Sequence, residues 1–321
     1  MLNLPVYTEL SNFSTRVNGK KVSTDITVTL IVNSSSDPVQ SINSIYQFLE
    51  RIRYKSEFIL LNLDREGYQY EKLLSTFPVM RVLFPQEKIN IKDAVSMALH
   101  ESLSNTILFL DPNFLIESLS LEVLDMYLSE SSFGMLIPLI ISEKGETIPN
   151  IVKGNIQSGF LSTISMDIVG TAVSSIYSKY FCFLLNREAV LSRNIQLESY
   201  QKPQFTLLDL GYKLWKEGYI ITQARNFKVK YLGTAINDIK PDFDDKDYLL
   251  FHYKNITENA PKKGRKLKMI WVFLSWLVRF KAGMIRYLFL LWKEDPLSIK
   301  INSTKPVEDL SIITIINKDI K

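Results

Sequence analysis

Short apolar runs alternate with segments of helical periodicity along the first third of the chain. The apolar runs are residues 26–32, 57–64, 79–84 and 106–111. They are rich in Ile, Val, Leu and Phe and are bounded by polar residues, which is typical of buried strands. Behind the first run, an Asp-Pro pair at residues 37–38, of the kind that begins helices, precedes one helical stripe. The stripe consists of Ile42, Ile45, Leu49 and Ile52. The alternation predicts right-handed βαβ units and an α/β fold, a mainly parallel sheet with helices on both faces.

The second half of the chain is less regular, but its pattern still predicts individual elements. Residues 133–141 form an apolar run that indicates another strand, and residues 150–167 are typical of an exposed hairpin or loop. Residues 180–191 have the pattern of a buried strand that turns into a helix. From Leu207 to Trp215 apolar residues recur at helical spacing, and Gly218 is predicted to end that helix.

The composition limits the chemistry that the chain can carry. Of 321 residues, 46% are hydrophobic and 22% are charged, as in globular domains. The single cysteine, Cys182, cannot form an intrachain disulfide, and two distant histidines leave little for a zinc site or a His-based catalytic triad. Residues 1–25 lack the pattern of a secretory signal and are expected to be an extension. The reducing, cytoplasmic side of a membrane is therefore the expected location.

Polar residues follow three of the predicted strands. They are residues 33–35, 62–64 and 111–113. Since ligands of open parallel sheets bind at the carboxyl ends of the strands, these residues are expected to face one crevice. The alternative is that each strand simply ends in an ordinary polar turn. A dinucleotide-dependent oxidoreductase fits less well, because the segment 33–38, "NSSSDP", contains no glycine.

A resemblance to a known family rests on the order of five segments. They are "ITVTLIVNSS", "EFILLNLD", "TILFLDPN", "FLLNREAV" and "LLDLGYKLWKEGY". In this order they resemble the family 2 glycosyltransferases of GT-A fold, over roughly residues 26–255. The resemblance implies transfer of a sugar from a nucleotide-diphospho-sugar to a glycan or lipid-linked acceptor. It also implies a divalent cation, Mg²⁺ or Mn²⁺, on the diphosphate.

The resemblance assigns roles to the residues at the strand ends. Asp111 matches the first metal-site aspartate, and Asn113 supplies a neutral oxygen where a second carboxylate is usual. Asn62 stands at a nucleoside-contacting position, and the loop Asn33, Ser34, Ser35 matches the small polar loop after the first strand. These residues are the predicted nucleotide-sugar site.

Several positions depart from the family pattern. Leu63 stands where an acidic residue is usual, and Thr206 and Leu207 align with the acidic pair that would supply the catalytic base. Two hypotheses follow. In the first, the chain is a divergent transferase, of hexosyltransferase type and inverting, whose base is Asp209 or Glu198. In the second, catalysis is lost and the GT-A domain serves binding or scaffolding in polysaccharide assembly.

The segment 262–293 carries a separate signal. It holds nine basic residues and no acidic one, and its longest stretch without a charged residue, Met269–Val278, is ten residues, too short to span a bilayer. On a helix, its cationic residues Lys268, Arg279, Arg286 and Lys293 lie within about 40° of one another. A narrow cationic stripe beside a broad apolar face predicts amphipathic helices that lie on an anionic leaflet. The alternative is packing on the domain's own core with outward-pointing cations.

Together these patterns predict a peripheral membrane protein on the inner face of the cell membrane. A nucleic-acid arm is not expected, because the basic segment is too apolar for one. Residues 294–321 are expected to form a C-terminal tail, in which the apolar residues 310–316 indicate one extra strand.

Overall fold

The computed structural model describes the chain in ranges separated by gaps. They are residues 5–11, 16–17, 20–21, 23–33, 38–63, 74–77, 80–120, 125, 129, 132–157, 160–167, 173–234, 236–240 and 245–257. The predicted membrane-associating segment 262–293 and the tail 294–321 lie outside them. No helix within these ranges has the length and hydropathy needed to cross a membrane.

The strands, in chain order, have the following bounds. They are β1 Tyr7–Ser11, β2 Arg16–Val17, β3 Lys20–Lys21, β4 Ile26–Val32, β5 Ser56–Asn62, β6 Met80–Pro85, β7 Thr106–Leu110, β8 Phe114–Leu119, β9 Phe133–Ser142, β10 Thr147–Ile148, β11 Ile151–Gln157, β12 Phe160–Met166, β13 Cys182–Asn186 and β14 Ile220–Tyr231.

Five α-helices have both ends within the described ranges. They are α1 Val39–Arg51, α2 Ile91–Glu101, α3 Arg187–Ser192, α4 Pro203–Lys216 and α5 Lys246–Phe251, which continues into a π-helical segment His252–Thr257.

One ten-stranded mixed sheet organises the fold, in the order β1-β6-β5-β4-β7-β13-β9-β14-β8, with β10 beside β9. The block β6-β5-β4-β7 is parallel, and β9 and β14 run in the same direction as that block. Side chains of each central strand alternate between two buried clusters, one under α1 and the other under α2 and α4. The predicted α/β architecture with helices on both faces of a mixed, mostly parallel sheet is confirmed.

Local sequence explains where the helices begin and end. Asn90 caps α2 by accepting a hydrogen bond from the backbone N–H of Asp93. Pro203 opens α4, where its missing N–H costs nothing. Gly218, two residues after α4, has φ +85°, as predicted for the glycine that ends this helix.

The predicted extension supplies a strand of the main sheet. β1 pairs antiparallel with β6, and Arg81 of β6 is 2% exposed while its guanidinium contacts three glutamates. They are Glu9 of β1, Glu57 of β5 and Glu101 at the end of α2. The pattern of residues 7–11 did not predict this strand, because its side chains are half-buried or exposed and lack an apolar run.

The hairpin β11–β12, predicted as an exposed hairpin or loop, is partly buried. Side chains of α5 and of the π-helical segment hold it in place. The Nε2 atom of His252 accepts a hydrogen bond from the backbone N–H of Leu161 at 3.0 Å, and the hydroxyl of Tyr248 donates to the carbonyl oxygen of Leu161 at 2.9 Å. Both backbone groups of one strand residue are therefore satisfied from outside the hairpin. Burial lowers the pKa of His252 to about 4, so its ring is neutral at pH 7.

We predict that His252 makes the protein acid-sensitive. The unfolded chain takes up a proton near pH 6.5 and the folded chain only near pH 4, so stability that is complete above pH 6.5 is lost as pH falls towards 4. The loss from this residue is on the order of 3 kcal/mol. Denaturant unfolding at pH 7 and pH 4.5 should show a larger loss for wild type than for His252→Gln, whose amide oxygen still accepts from Leu161. The substitution Tyr248→Phe, which removes the other hydrogen bond to Leu161 and no group that titrates between pH 4.5 and 7, is the control and should leave the pH dependence unchanged. Equal pH dependence of wild type and His252→Gln would contradict the assignment.

Candidate functional site

The ends of β4, β5 and β7 bring three of the predicted site residues to one edge of the sheet. Val32 pairs with Asn62, and Leu30 pairs with Leu110, so the strands end nearly level. Since β4 lies between β5 and β7, Asn62 and Asp111 are separated by two strand spacings, about 10 Å. Asn33 is exposed and Asn62 is buried at this edge. Ser34 and Ser35 lie outside the described residues.

Asp111 begins a tight turn between β7 and β8. The backbone N–H of Phe114 donates to the carbonyl oxygen of Asp111 at 3.1 Å, and Pro112 occupies the second position of the turn, where proline is favoured. The Asp111 Oδ1 atom accepts from the backbone N–H of Asn113 at 2.7 Å. The segment is therefore an ordinary aspartate-stabilised turn in its backbone, but it holds a half-buried carboxylate at the sheet edge.

The carboxyl of Asp111 is in an unfavourable electrostatic environment. Burial raises its pKa to about 6, although the backbone and side-chain hydrogen bonds with Asn113 act in the opposite direction. Within the described part of the chain, no lysine, arginine or histidine forms an ion pair with it. At neutral pH this carboxyl is therefore mostly ionised, and no cation of the described residues is paired with it.

An aromatic cluster lies beside this carboxyl. The ring of Tyr231 stacks on Phe114 at 4.7 Å between centroids and meets Tyr180 edge-on at 5.1 Å. Burial raises the pKa of Tyr231 to about 12, and the nearby charge of Asp111 adds to that shift. The backbone N–H of Leu232 donates to the carbonyl oxygen of Asn113 at 2.8 Å. The end of β14 thus forms one wall of the candidate site, a role that the sequence did not reveal.

The oxygen atoms of Asp111 and Asn113 are too few to hold a metal ion by themselves. They fit a cation that arrives already bound to a substrate. Among the described residues, no three His, Cys, Asp or Glu side chains come together as a metal-binding group. Asp111 offers one carboxylate, and Asn113 is exposed and offers an amide oxygen. Mg²⁺ and Mn²⁺ readily take most ligands from water and phosphate oxygens, with one or two protein oxygens, so these residues fit such an ion.

Asp209, a predicted catalytic base, is fully buried and fully hydrogen-bonded. Its Oδ2 atom accepts from the backbone N–H of Glu198 at 3.0 Å and from Nζ of Lys213 at 2.8 Å. Its Oδ1 atom accepts from the side-chain amide of Asn255 at 2.8 Å. These contacts join the loop before α4, the helix itself and the C-terminal π-helical segment. The Asp209 carboxylate therefore has the contacts of a structural residue that holds these three segments together.

The other predicted base, Glu198, is half-buried in the loop that Asp209 holds. The same loop meets the beginning of α2 through a hydrogen bond from the Asn90 side chain to the hydroxyl of Ser199. In the described part of the chain, no hydrogen bond or ion pair joins Glu198 or Asp209 to Asp111. Thr206 and Leu207, at the positions of the family's acidic pair, are buried in α4. The catalytic roles of Glu198 and Asp209 stay predictions.

Comparison with solved structures identifies the fold. No protein-family model matches the chain, and no curated protein sequence matches it. The crystal structure of GalNAc-T7 with UDP, GalNAc and Mn²⁺ is similar over 66% of this chain and 44% of that one, with a TM-score of 0.51 and 12% identity. The structure of S. aureus TarS 1-349 in complex with UDP-GlcNAc is similar over 76% of this chain and 69% of that one, with a TM-score of 0.52 and 13% identity.

The class of fold follows from these likenesses and from the sheet described above. The chain has the GT-A fold of glycosyltransferases, as the sequence resemblance predicted. It spans less than half of the GalNAc-T7 chain. The low identity is that of a divergent member of this fold, and it agrees with the substitutions found at the strand ends and in α4.

We predict that replacing Asp111 stabilises the protein. The pKa of about 6 lies above the ordinary value of 3.8, so ionising this carboxyl costs stability as pH rises from 4 to 6. Asp111→Asn keeps an oxygen for the Asn113 N–H and should gain on the order of 2 kcal/mol at pH 7.5, allowing for partial screening by solvent, and little at pH 4. Denaturant unfolding at both pH values measures this.

Asp238→Asn is the control with the opposite expectation. Burial disfavours the Asp238 carboxylate, but hydrogen bonds from Ser165 and Lys179 outweigh this and hold its pKa below the usual range. Its replacement should therefore destabilise the protein at pH 7.5. A loss of stability in Asp111→Asn at pH 7.5 would show that the Asp111 carboxylate has a stabilising partner.

Proposed function

We propose that this protein is a glycosyltransferase that binds a nucleotide-diphospho-sugar at the edge formed by Asn33, Asn62 and Asp111. It transfers the sugar to a glycan or lipid-linked acceptor, in polysaccharide biosynthesis. The observation that carries the proposal is the half-buried carboxylate of Asp111, which no cation of the described residues pairs with, on a turn at the sheet edge of a GT-A fold. UDP in the GalNAc-T7 structure and UDP-GlcNAc in the TarS structure support a uridine nucleotide as the donor.

Each residue at the edge has a proposed task. Asp111 and the amide oxygen of Asn113 hold a divalent cation on the diphosphate, which neutralises negative charge on the leaving group as the glycosidic bond breaks. Asn62, and the loop Asn33, Ser34, Ser35, contact the nucleoside and the sugar. A single carboxylate predicts a cation site weaker than one with two, and Mn²⁺ in the GalNAc-T7 structure supports the choice of ion.

The proton of the acceptor hydroxyl needs a base if the transfer is inverting. Of the two predicted candidates, Glu198 fits better, because it is half-buried, whereas both oxygens of Asp209 are engaged in hydrogen bonds. A positioned carboxylate contributes roughly 10² to 10⁴ in rate. Asp209 then supports Glu198 by holding its backbone N–H.

A second candidate function is a non-catalytic binding or scaffold subunit in polysaccharide assembly. Buried Thr206 and Leu207 in place of the acidic pair favour it. In that case the edge binds a nucleotide-sugar, but no turnover follows.

We predict cation-dependent binding of a nucleotide-sugar that Asp111 controls. Calorimetric titration of the full chain with UDP- and GDP-sugars should show binding that requires Mn²⁺. Asp111→Asn should weaken binding by at least about tenfold, because the negative charge and one of the two carboxylate oxygens are lost.

The matched control is Glu117→Gln, which removes an exposed carboxylate on β8, three residues beyond the turn. It should bind like wild type. Absence of cation-dependent nucleotide affinity in wild type would refute the enzyme proposal. Binding without sugar transfer or hydrolysis would favour the scaffold.

We also propose a peripheral location on the inner face of the cell membrane, through residues 262–293. The cationic stripe of that segment and its apolar remainder suit the headgroup region of an anionic leaflet. Such an attachment brings the sheet edge near lipid-linked acceptors.

We predict that a chain ending at Pro261 no longer floats with anionic liposomes, whereas the full chain does. Neutral phosphatidylcholine liposomes are the control, since each surface cation contributes about 1 kcal/mol only on an anionic leaflet. The full chain should therefore bind them more weakly. Flotation of the shortened chain with anionic liposomes would refute the proposed anchor.

A further inference from the structure

A serine of α1 holds the turn that carries Asp111 and Asn113. Ser41 is fully buried in the first turn of α1, and its Oγ atom lies 2.6 Å from the carbonyl oxygen of Pro112 and 3.0 Å from that of Phe114. A hydroxyl has one proton to donate, so these two carbonyls share it. They flank Asn113 on both sides, and Ser41 therefore restrains the part of the turn that presents the Asn113 side chain.

The remaining hydrogen bonds of the turn come from backbone groups or from the turn itself. Asp111 accepts from Asn113 and Phe114, and Leu232 binds the carbonyl of Asn113. Within the ranges that the structure describes, Ser41 is the only side chain from another element that hydrogen-bonds to the backbone of residues 111–114. The hydroxyl is thus a specific support of this turn.

Ser41 also connects two parts of the proposed site. α1 follows directly on the loop after β4, and Ile42 of its first turn donates from its backbone N–H to the carbonyl of Pro38. The Ser41 hydroxyl therefore ties the helix that begins behind Asn33 to the turn that begins at Asp111. A shift of either would strain this buried hydrogen bond.

We propose that Ser41 is a positioning residue for nucleotide-sugar binding. Its hydroxyl fixes the turn so that the Asp111 carboxylate and the Asn113 amide oxygen face the diphosphate and its cation together. The inference rests on the proposed function. Ligand groups must be held within a fraction of an ångström to act as a pair, and partners that orient metal ligands are worth about 10- to 100-fold in affinity.

Ser44 supplies a matched control on the same helix. Its Oγ atom accepts from the backbone N–H of Ile116 at 2.8 Å and lies 3.3 Å from the carbonyl oxygen of the same residue. Ser44→Ala therefore removes a hydroxyl of the same kind, bonded to the same strand, but two residues beyond the turn. A merely structural role of these serines would make the two alanine variants equivalent.

The first test is the affinity for UDP-GlcNAc with Mn²⁺, measured by calorimetry on the full chain. Ser41→Ala should bind about tenfold more weakly than wild type, whereas Ser44→Ala should stay within about twofold. Ser41→Thr keeps the hydroxyl and should recover most of the affinity. Equal weakening in both alanine variants, or none in Ser41→Ala, would overturn the proposal.

The second test needs no ligand and separates this inference from the proposed function. Amide hydrogen exchange of Asn113 and Leu232 in the ligand-free chain should be several-fold faster in Ser41→Ala than in Ser44→Ala, because the turn opens locally. If wild type binds no UDP-GlcNAc, this measurement decides the role of Ser41 in holding the turn. Equal exchange in the two variants would overturn it.

Discussion

The buried carboxylate of Asp209 is the constraint that holds the segments around α4 against one another. A charge taken fully out of water is tolerated only when cations and hydrogen-bond donors surround it. Lys213, Asn255 and the backbone N–H of Glu198 meet that demand, and they belong to three separate segments. Satisfying one charge therefore fixes the loop before α4 and the C-terminal π-helical segment against the same helix. The loop also contacts the beginning of α2, through the hydrogen bond from Asn90 to Ser199.

Residues that agree with the family pattern and residues that depart from it have different tasks. The segment of α4 that carries part of the resemblance makes internal contacts. Asp209 pairs with Lys213, and Gly211 lets α4 approach Ile176, whose carbonyl oxygen a Cβ would meet at 2.4 Å. Departures concentrate where chemistry is expected, at Leu63, Asn113 and Thr206. Internal contacts of this kind are compatible with a shared fold at 12 to 13% identity to the structural neighbours.

The hydrophobic pattern of the sequence predicted the strands that are buried at every position. It missed strands in which only some side chains are buried. β4 is buried at every position, and its run of β-branched residues was sufficient to place it. β1 and β8 have many half-buried or exposed side chains, and β8 also follows β7 closely, so no separate apolar run marks either strand. For the site, parallel strand ends were enough to predict that Asn62 and Asp111 share an edge. The contribution of Ser41 depends on contacts with residues more than 70 positions away, and that of Tyr231 depends on the pairing of β14 with β8. The periodicity of the sequence does not encode contacts of this kind.

The cluster around Arg81 has a consequence for how copies of this protein behave towards one another. Without β1, the strand β6 would present an open, apolar edge to solvent, and such edges template pairing between molecules. β1 covers that edge with five residues, and its attachment is secured by a guanidinium held among carboxylates instead of by a large apolar surface. A short outer strand with exposed polar side chains is a poor template for pairing with a further strand. The amino-terminal segment thus protects the molecule from edge-to-edge aggregation.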